Sequence, residues 1–271
     1  MKLGLPWKLG GLASMWRIAP QTRQAAGTVV CAAVLYSMLA VWGSSETTAG
    51  AQTCFGRAAT IVRGSGNDTI QGTAGSDVIV AGGGNDTVAA GDGVDYVCGE
   101  GGDDTIDTGR GDDFLDGGNG SDELHGYNGG DKIIGGTGRD FLDGRRGELG
   151  DVLIGGRGRD RMIGGERSVG GGGNDRINGT GYVNDSHQDV LKGGPGRDRI
   201  AGDGSGSGRD VIRGGADGDQ LRGLDHRDRI LGEAGADELH GGPGNDHLDG
   251  GTDFDTCDQG AGTGSVVNCE A

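Results

Sequence analysis

Along most of this chain a large apolar residue returns every ninth position, set between polar neighbours and preceded by glycine. Ile70, Ile79, Val88, Val97, Ile106 and Leu115 begin the series, and it runs on to Leu248 and Cys257. Two residues before each stands an aspartate. Asp68, Asp77, Asp86, Asp95, Asp104, Asp113, Asp122, Asp131 and Asp140 lie nine apart. The phase continues at Asp151, Asp160, Asp175, Asp189, Asp198, Asp210, Asp219, Asp228, Asp237, Asp246 and Asp255. Counted by aspartates this makes 20 repeats, and 15 of the 19 steps between them are nine residues. Glycine stands two residues before the aspartate in 15 of the 20, the exceptions being Leu149, His187, Asp217, His226 and Asp253. A fixed internal period of this kind is the signature of a repeat architecture.

Each unit divides into a six-residue turn and a three-residue strand whose central residue is apolar. Strand side chains alternate between faces, so that residue points inward and its neighbours point out. A six-residue turn reverses the chain, and two units then close one 18-residue circuit. Residues 18 apart stack at about 4.8 Å, the spacing of paired strands. The pattern predicts an all-β fold, a parallel β-roll (a right-handed β-helix-like solenoid) with two facing sheets and a thin core of stacked Ile, Leu and Val. Parity sorts the aspartates into two columns. Asp68, Asp86, Asp104, Asp122 and Asp140 fall on one edge, and Asp77, Asp95, Asp113 and Asp131 on the other.

Composition changes the picture only once this phase is known. Glycine is 65 of 271 residues, about 24% against a usual ~7%, with only 4 Pro and 4% aromatic residues. Unphased, such a chain reads as disordered; collagen is excluded because it needs glycine at every third position. The acids are 33 Asp and 8 Glu, a bias towards turns and hard-metal ligation rather than helices. Lys2, Lys8, Arg17 and Arg23 precede an uncharged stretch from Ala25 to Trp42, and Ala49-Gly50-Ala51 follows a polar segment. This is the pattern of an export signal over residues 1–51, with a retained membrane anchor as the other reading. Removing those residues takes four basic and one acidic residue from totals of 24 and 41, leaving 20 and 40, net −20. So acidic a chain repels nucleic acid and anionic membranes and calls for a cation. Cys54, Cys98, Cys257 and Cys269 remain, an even number in an exported chain. Four cysteines allow three pairings, and Cys54–Cys98 with Cys257–Cys269 is the local choice.

The unit Gly-Gly-x-Gly-x-Asp-x-U-x, with U apolar, occurs in full at Gly117–His125 and at Gly241–Asp249. It resembles the calcium-binding nonapeptide of RTX (haemolysin-type) proteins, over roughly residues 63–258. The resemblance implies Ca²⁺ ions between successive stacked turns, held by the repeat aspartates and turn carbonyls. Carried over, the metal ligands are Asp68, Asp77, Asp86, Asp95, Asp104, Asp113, Asp122, Asp131, Asp140, Asp160, Asp175, Asp198, Asp210, Asp219, Asp237 and Asp246. In the units of Asp151, Asp189, Asp228 and Asp255, which lack the middle glycine, ligand and simple Asx-turn both stay open. Six to eight oxygens at 2.3–2.6 Å suit Ca²⁺ better than Mg²⁺. Folding is expected to need the metal, because stacked carboxylates repel and the core is too thin to order a glycine-rich chain alone.

Four steps are longer than nine, at about 144–150, 164–173, 179–187 and 202–208. They read as loops grown from turns, the first two on one edge and the last two on the other. Arg139, Arg159, Arg161, Arg176, Arg197, Arg199 and Arg209 stand beside repeat aspartates and are expected to offset their charge. The chain thus divides into a signal (1–51), an N-terminal cap (52–62), a regular roll (63–143), repeats with inserted loops (144–213), a second regular roll (214–258) and a disulfide-stapled C-terminal cap (259–271). No His-Glu-x-x-His, Gly-x-Ser-x-Gly elbow or Gly-Lys phosphate loop occurs. His125, His187, His226, His240 and His247 fall at varied phases and read as surface residues. The expectation is a secreted, non-enzymatic calcium-binding roll with a structural or cell-surface role, displayed on the outer face if the N-terminal segment is retained. Calcium-dependent binding of extracellular polysaccharide or cell wall is the alternative. An N-terminal signal and cysteines set the chain apart from RTX toxins, and no membrane-active segment follows.

Overall fold

The computed structural model describes residues 52–144, 150–179, 187–204 and 208–270. The signal or anchor expected over 1–51 lies outside them. Among the described residues there is no helix, and two parallel sheets of 12 and 11 strands carry the repeats. The chain alternates between them. Tyr96–Gly101 belongs to the longer sheet, Thr105–Arg110 to the shorter, Phe114–Asn119 to the longer and Glu123–His125 to the shorter. In the regular parts each residue pairs with that 18 positions on, as in Val97↔Leu115 and Ile106↔Leu124. The apolar ladder is the core: Val97, Ile106, Leu115, Leu124, Ile133 and Leu142 are each 0% exposed. One buried side chain per nine residues is a thin core.

Both ends are closed. Thr53–Cys54 and Arg57–Ala58 form an antiparallel hairpin whose two central residues, Phe55 and Gly56, have φ of 49° and 75°, as a two-residue hairpin turn requires. A disulfide ties Cys54 to Cys98. Phe55 packs against Phe114 and Tyr96, which stack on each other at 4.8 Å, and Arg57 covers the Tyr96 ring at 4.1 Å. At the other end Cys257 is joined to Cys269. The pairing is the local one.

The irregular middle departs from expectation in two ways. Residues 164–173 are not a loop: Arg167–Gly172 is a strand of the longer sheet, paired with Val152–Gly158 and Val190–Pro195. It belongs to a half-circuit in which Glu166 stands where an aspartate would and Ser168 replaces the apolar residue. Ser168 pairs with Leu153 and Leu191, is 0% exposed, and its hydroxyl donates to the Gly164 carbonyl at 3.2 Å. Counting aspartates skips this half-circuit, so the count of 20 misses it and parity shifts by one beyond Asp160. Accordingly all four irregular steps fall between the same two sheets in the same sense, and residues 145–149, 180–186 and 205–207 of the loops expected there lie outside the described residues. Each irregular step leaves a strand of the shorter sheet (Phe141–Asp143, Arg161–Ile163, Arg176–Asn178, Arg199–Ala201) and enters the longer one. Steps in the opposite sense keep their nine-residue units throughout.

Candidate metal centre

The repeat aspartates form two hydrogen-bonded columns. In each, the backbone N–H of one aspartate donates to Oδ1 of the aspartate one circuit on, at 2.7–3.1 Å. One column runs Asp68, Asp86, Asp104, Asp122, Asp140, Asp160, Asp175, Asp198, Asp219, Asp237, Asp255 without a break. The other runs Asp77, Asp95, Asp113, Asp131, Asp151 and resumes at Asp189, Asp210, Asp228, Asp246. The regular part sorts by parity as the sequence predicts.

With Oδ1 engaged, Oδ2 is the oxygen left over. In Asp86, Asp95, Asp104, Asp113, Asp122, Asp131, Asp140, Asp160, Asp175, Asp198, Asp219, Asp237 and Asp246 it is buried and accepts no hydrogen bond. A buried acceptor without a partner carries its full desolvation cost. In Asp104, Asp122, Asp131, Asp140, Asp160, Asp175, Asp198, Asp219, Asp237 and Asp246 this oxygen faces a cradle that glycine keeps open, whereas Ala81, Ala90 and Thr108 stand at that position before Asp86, Asp95 and Asp113. A Cβ on Gly135 would lie 2.5 Å from Asp140 Oδ2 and 2.6 Å from the Gly155 carbonyl oxygen; one on Gly155 would meet Asp160 Oδ2 and the Gly170 carbonyl at 2.5 and 2.6 Å. The carboxylate oxygen and the carbonyl of the next circuit thus converge beside a bare Cα. Two further turn positions need positive φ, as at Gly118 (96°) and Gly120 (141°) before Asp122.

Three of the expected ligands differ. Asp68, at the start of its column, is half-buried. Asp77 Oδ2 accepts from the backbone N–H and hydroxyl of Thr73 at 2.7 and 2.9 Å. Asp210 Oδ2 accepts from the Asp203 N–H at 2.8 Å. Conversely, Asp228 and Asp255, left open by the loss of a middle glycine, have the same buried, unpartnered Oδ2 as the rest. Asp151 and Asp189 also stand in the column. The lost glycine leaves the turn intact because His226 and Asp253 themselves adopt positive φ, 83° and 82°.

Burial dominates the electrostatics. It raises the carboxyls of Asp104, Asp113 and Asp122 to about 6, those of Asp131, Asp160 and Asp198 to about 7, and that of Asp219 to about 8. The backbone N–H bond opposes the rise, and the neighbouring column carboxylates add to it.

Among the described residues no group of three or more His, Cys, Asp or Glu side chains is placed to hold a metal. A cation here must therefore take main-chain carbonyls with its carboxylates, which selects a hard ion. His125 lies 3.2 Å from Glu123 and 3.9 Å from Asp143, and His240 lies 2.8 Å from Glu238 and 3.7 Å from Asp258. These are pairs on the sheet surface.

The RTX calcium-binding nonapeptide repeat matches residues 63–97, 99–133, 125–148, 147–166, 167–182, 185–221 and 222–257. The chain belongs to this family. Membership implies Ca²⁺ binding, and two successive matches meet at Glu166, where the short half-circuit begins. No curated protein matches the RTX chain.

The arginines do not serve as expected. Among the described residues none of Arg139, Arg159, Arg161, Arg176, Arg197, Arg199 and Arg209 forms an ion pair with a carboxylate, whereas Arg213 pairs with Glu233, 3.0 Å apart. Alternation is the reason. The repeat aspartates turn inward at the circuit edge, whereas residues one before or after them point outward.

Proposed function

We propose that this RTX chain is a secreted, non-enzymatic roll that calcium completes, serving a structural or cell-surface role. The observation that carries the reading is the row of buried Oδ2 atoms, with a main-chain carbonyl of the next circuit beside those of Asp104, Asp122, Asp140, Asp160, Asp175, Asp198, Asp219, Asp228, Asp237, Asp246 and Asp255. The donor set fits Ca²⁺: hard oxygens only, carboxylate and carbonyl, in gaps lined by glycine. Asp86, Asp95, Asp104, Asp113, Asp122, Asp131, Asp140, Asp160, Asp175, Asp198, Asp219, Asp237 and Asp246 would hold the ions, with Asp228 and Asp255 added. Asp77 and Asp210 would ligate only by giving up the hydrogen bonds their Oδ2 atoms accept, and Asp68 would ligate from a half-buried end position. The bound cation supplies the positive charge that the columns lack. These residues position it and bring successive circuits into register.

Two disulfides support a folded life outside a reducing compartment. There calcium is available to a chain that stays unfolded without it. Calorimetric titration of the metal-free chain tests the reading. Uptake of several ions together with the heat of folding supports it; absence of calcium uptake overturns it.

A further inference from the structure

On the outer face of the shorter sheet, Arg161, Arg176 and Arg199 occupy one ladder position on three successive strands. Paired strands lie about 4.8 Å apart, and like charges directly opposite one another destabilise a sheet. Gln220 continues the row, its Oε1 accepting from Arg199 Nε at 2.9 Å. Arg161 sits over the Phe141 ring at 5.2 Å. The three guanidinium groups are exposed and have no carboxylate partner among the described residues, in a chain of net charge −17.

Beside this row the turns add Arg159 and Arg197, also exposed. A groove of about 650 Å³ is lined by Arg159, Asn174, Arg197, Arg199, Asp217 and Gln220. A second, of about 220 Å³, runs over Arg176, Arg199 and Arg222 on the sheet face. Guanidinium groups alternate here with amide side chains. Guanidinium binds carboxylate or sulfate through paired hydrogen bonds, and amides exchange hydrogen bonds with hydroxyl groups.

We propose that this face binds an anionic polysaccharide, a linear glycan carrying carboxylate or sulfate groups, laid along the arginine row. Charge complementarity selects an anion, and the interleaved amides select one rich in hydroxyls. Nucleic acid fits less well: it depends on many phosphate contacts and on aromatic stacking platforms, and of these only Phe141 stands beside the row. The arginine row lies on the outer sheet face, whereas the column aspartates turn inward; of the columns Asp198 reaches the lining of the larger groove, and the proposal goes beyond calcium binding.

The test uses the full chain in Ca²⁺ at about 0.15 M ionic strength, with hyaluronan, dextran sulfate, neutral dextran and single-stranded DNA as probes. The proposal expects binding of one or both charged glycans, no binding of dextran, and DNA binding weaker by about tenfold or more. The double substitution Arg176→Ala with Arg199→Ala should weaken glycan binding by about tenfold, while Arg63→Ala should not. Phenylglyoxal footprinting of the unsubstituted chain gives a readout independent of variant folding, since bound glycan should shield Arg176 and Arg199 but not Arg63. Failure to bind either charged glycan, equal binding of DNA, or absence of shielding at the row would each overturn the proposal.

Discussion

The backbone N–H of Asp255 donates to Oε2 of Glu270 at 2.7 Å. A glutamate thus closes a column that aspartates build, and the backbone of Glu270 returns a bond to the Asp255 carbonyl at 2.8 Å. Glu270 lies next to Cys269, whose disulfide to Cys257 holds it in place. Glu270→Ala is expected to release this last circuit locally. Amide hydrogen exchange at Thr256 and Ser265 should speed up by about tenfold, the effect of losing one charge-assisted hydrogen bond, while exchange at Ile106 stays unchanged.

Asp122 separates the two jobs of a column aspartate. Its Oδ1 accepts from the Asp104 N–H at 2.9 Å, while its Oδ2 is buried and unpartnered. Asp122→Asn keeps an acceptor for the N–H and replaces the second oxygen with a donor that no cation can use. The variant should bind fewer ions and fold at a calcium concentration about tenfold higher, read by circular dichroism during titration. Asp77→Asn should have a smaller effect, because Thr73 already holds Asp77 Oδ2.

The raised carboxyls fix how the metal-free chain responds to pH. An unfolded aspartate titrates near 3.9, whereas in the folded roll Asp104 and Asp140 are pushed up to about 6, Asp131 and Asp228 to about 7, and Asp219 to about 8. Between those limits the folded chain retains protons that the unfolded chain has released. Its stability is therefore greatest below about pH 4 and falls as pH rises through about 6 to 8. With EGTA present, the β-sheet signal should strengthen when pH is lowered from about 8 to about 4.5. With calcium present, the folding midpoint should move to lower calcium as pH falls from about 8 to about 4.5, because protonation already favours the folded roll, while calcium binding to the folded roll weakens as protons compete for the same oxygens.

Turn geometry predicts substitutions of opposite sign. Leu224 and His226 hold φ of 75° and 83° at the two positions where other turns use glycine. Leu224→Gly removes strain and should stabilise the calcium-loaded roll by about 1 kcal/mol. Gly155→Ala should do the reverse: its Cβ would occupy the space between Asp160 Oδ2 and the Gly170 carbonyl. Thermal unfolding in saturating calcium checks both, and Gly155→Ala should also lower the number of ions bound.

The period made the fold legible, because one apolar residue and one aspartate per nine residues fix strand, turn and stacking together. The regular columns from Asp68 to Asp140 follow from parity alone. Glu166 and Ser168 broke the count, since that half-circuit has neither the aspartate nor the apolar residue that marks the others. One signal was present: Glu166 is an acid nine residues before Asp175, in phase with the Gly170–Gly173 run. Backbone spacing, rather than side-chain identity, keeps that half-circuit in register. The role of the arginines was not legible either, because proximity in sequence to an aspartate says nothing about which face a side chain takes. Nor could the sequence reveal that His226 and Asp253 adopt the glycine conformation and leave Asp228 and Asp255 in place.

The central claim is that calcium completes the fold. Far-UV circular dichroism of the chain at about pH 7.5, first in EGTA and then with calcium restored, tests it most directly. A thin core and uncompensated columns predict loss of the β-sheet signal in EGTA and its recovery with Ca²⁺ but not with Mg²⁺. A β-sheet signal that is the same in EGTA as in calcium would contradict the account.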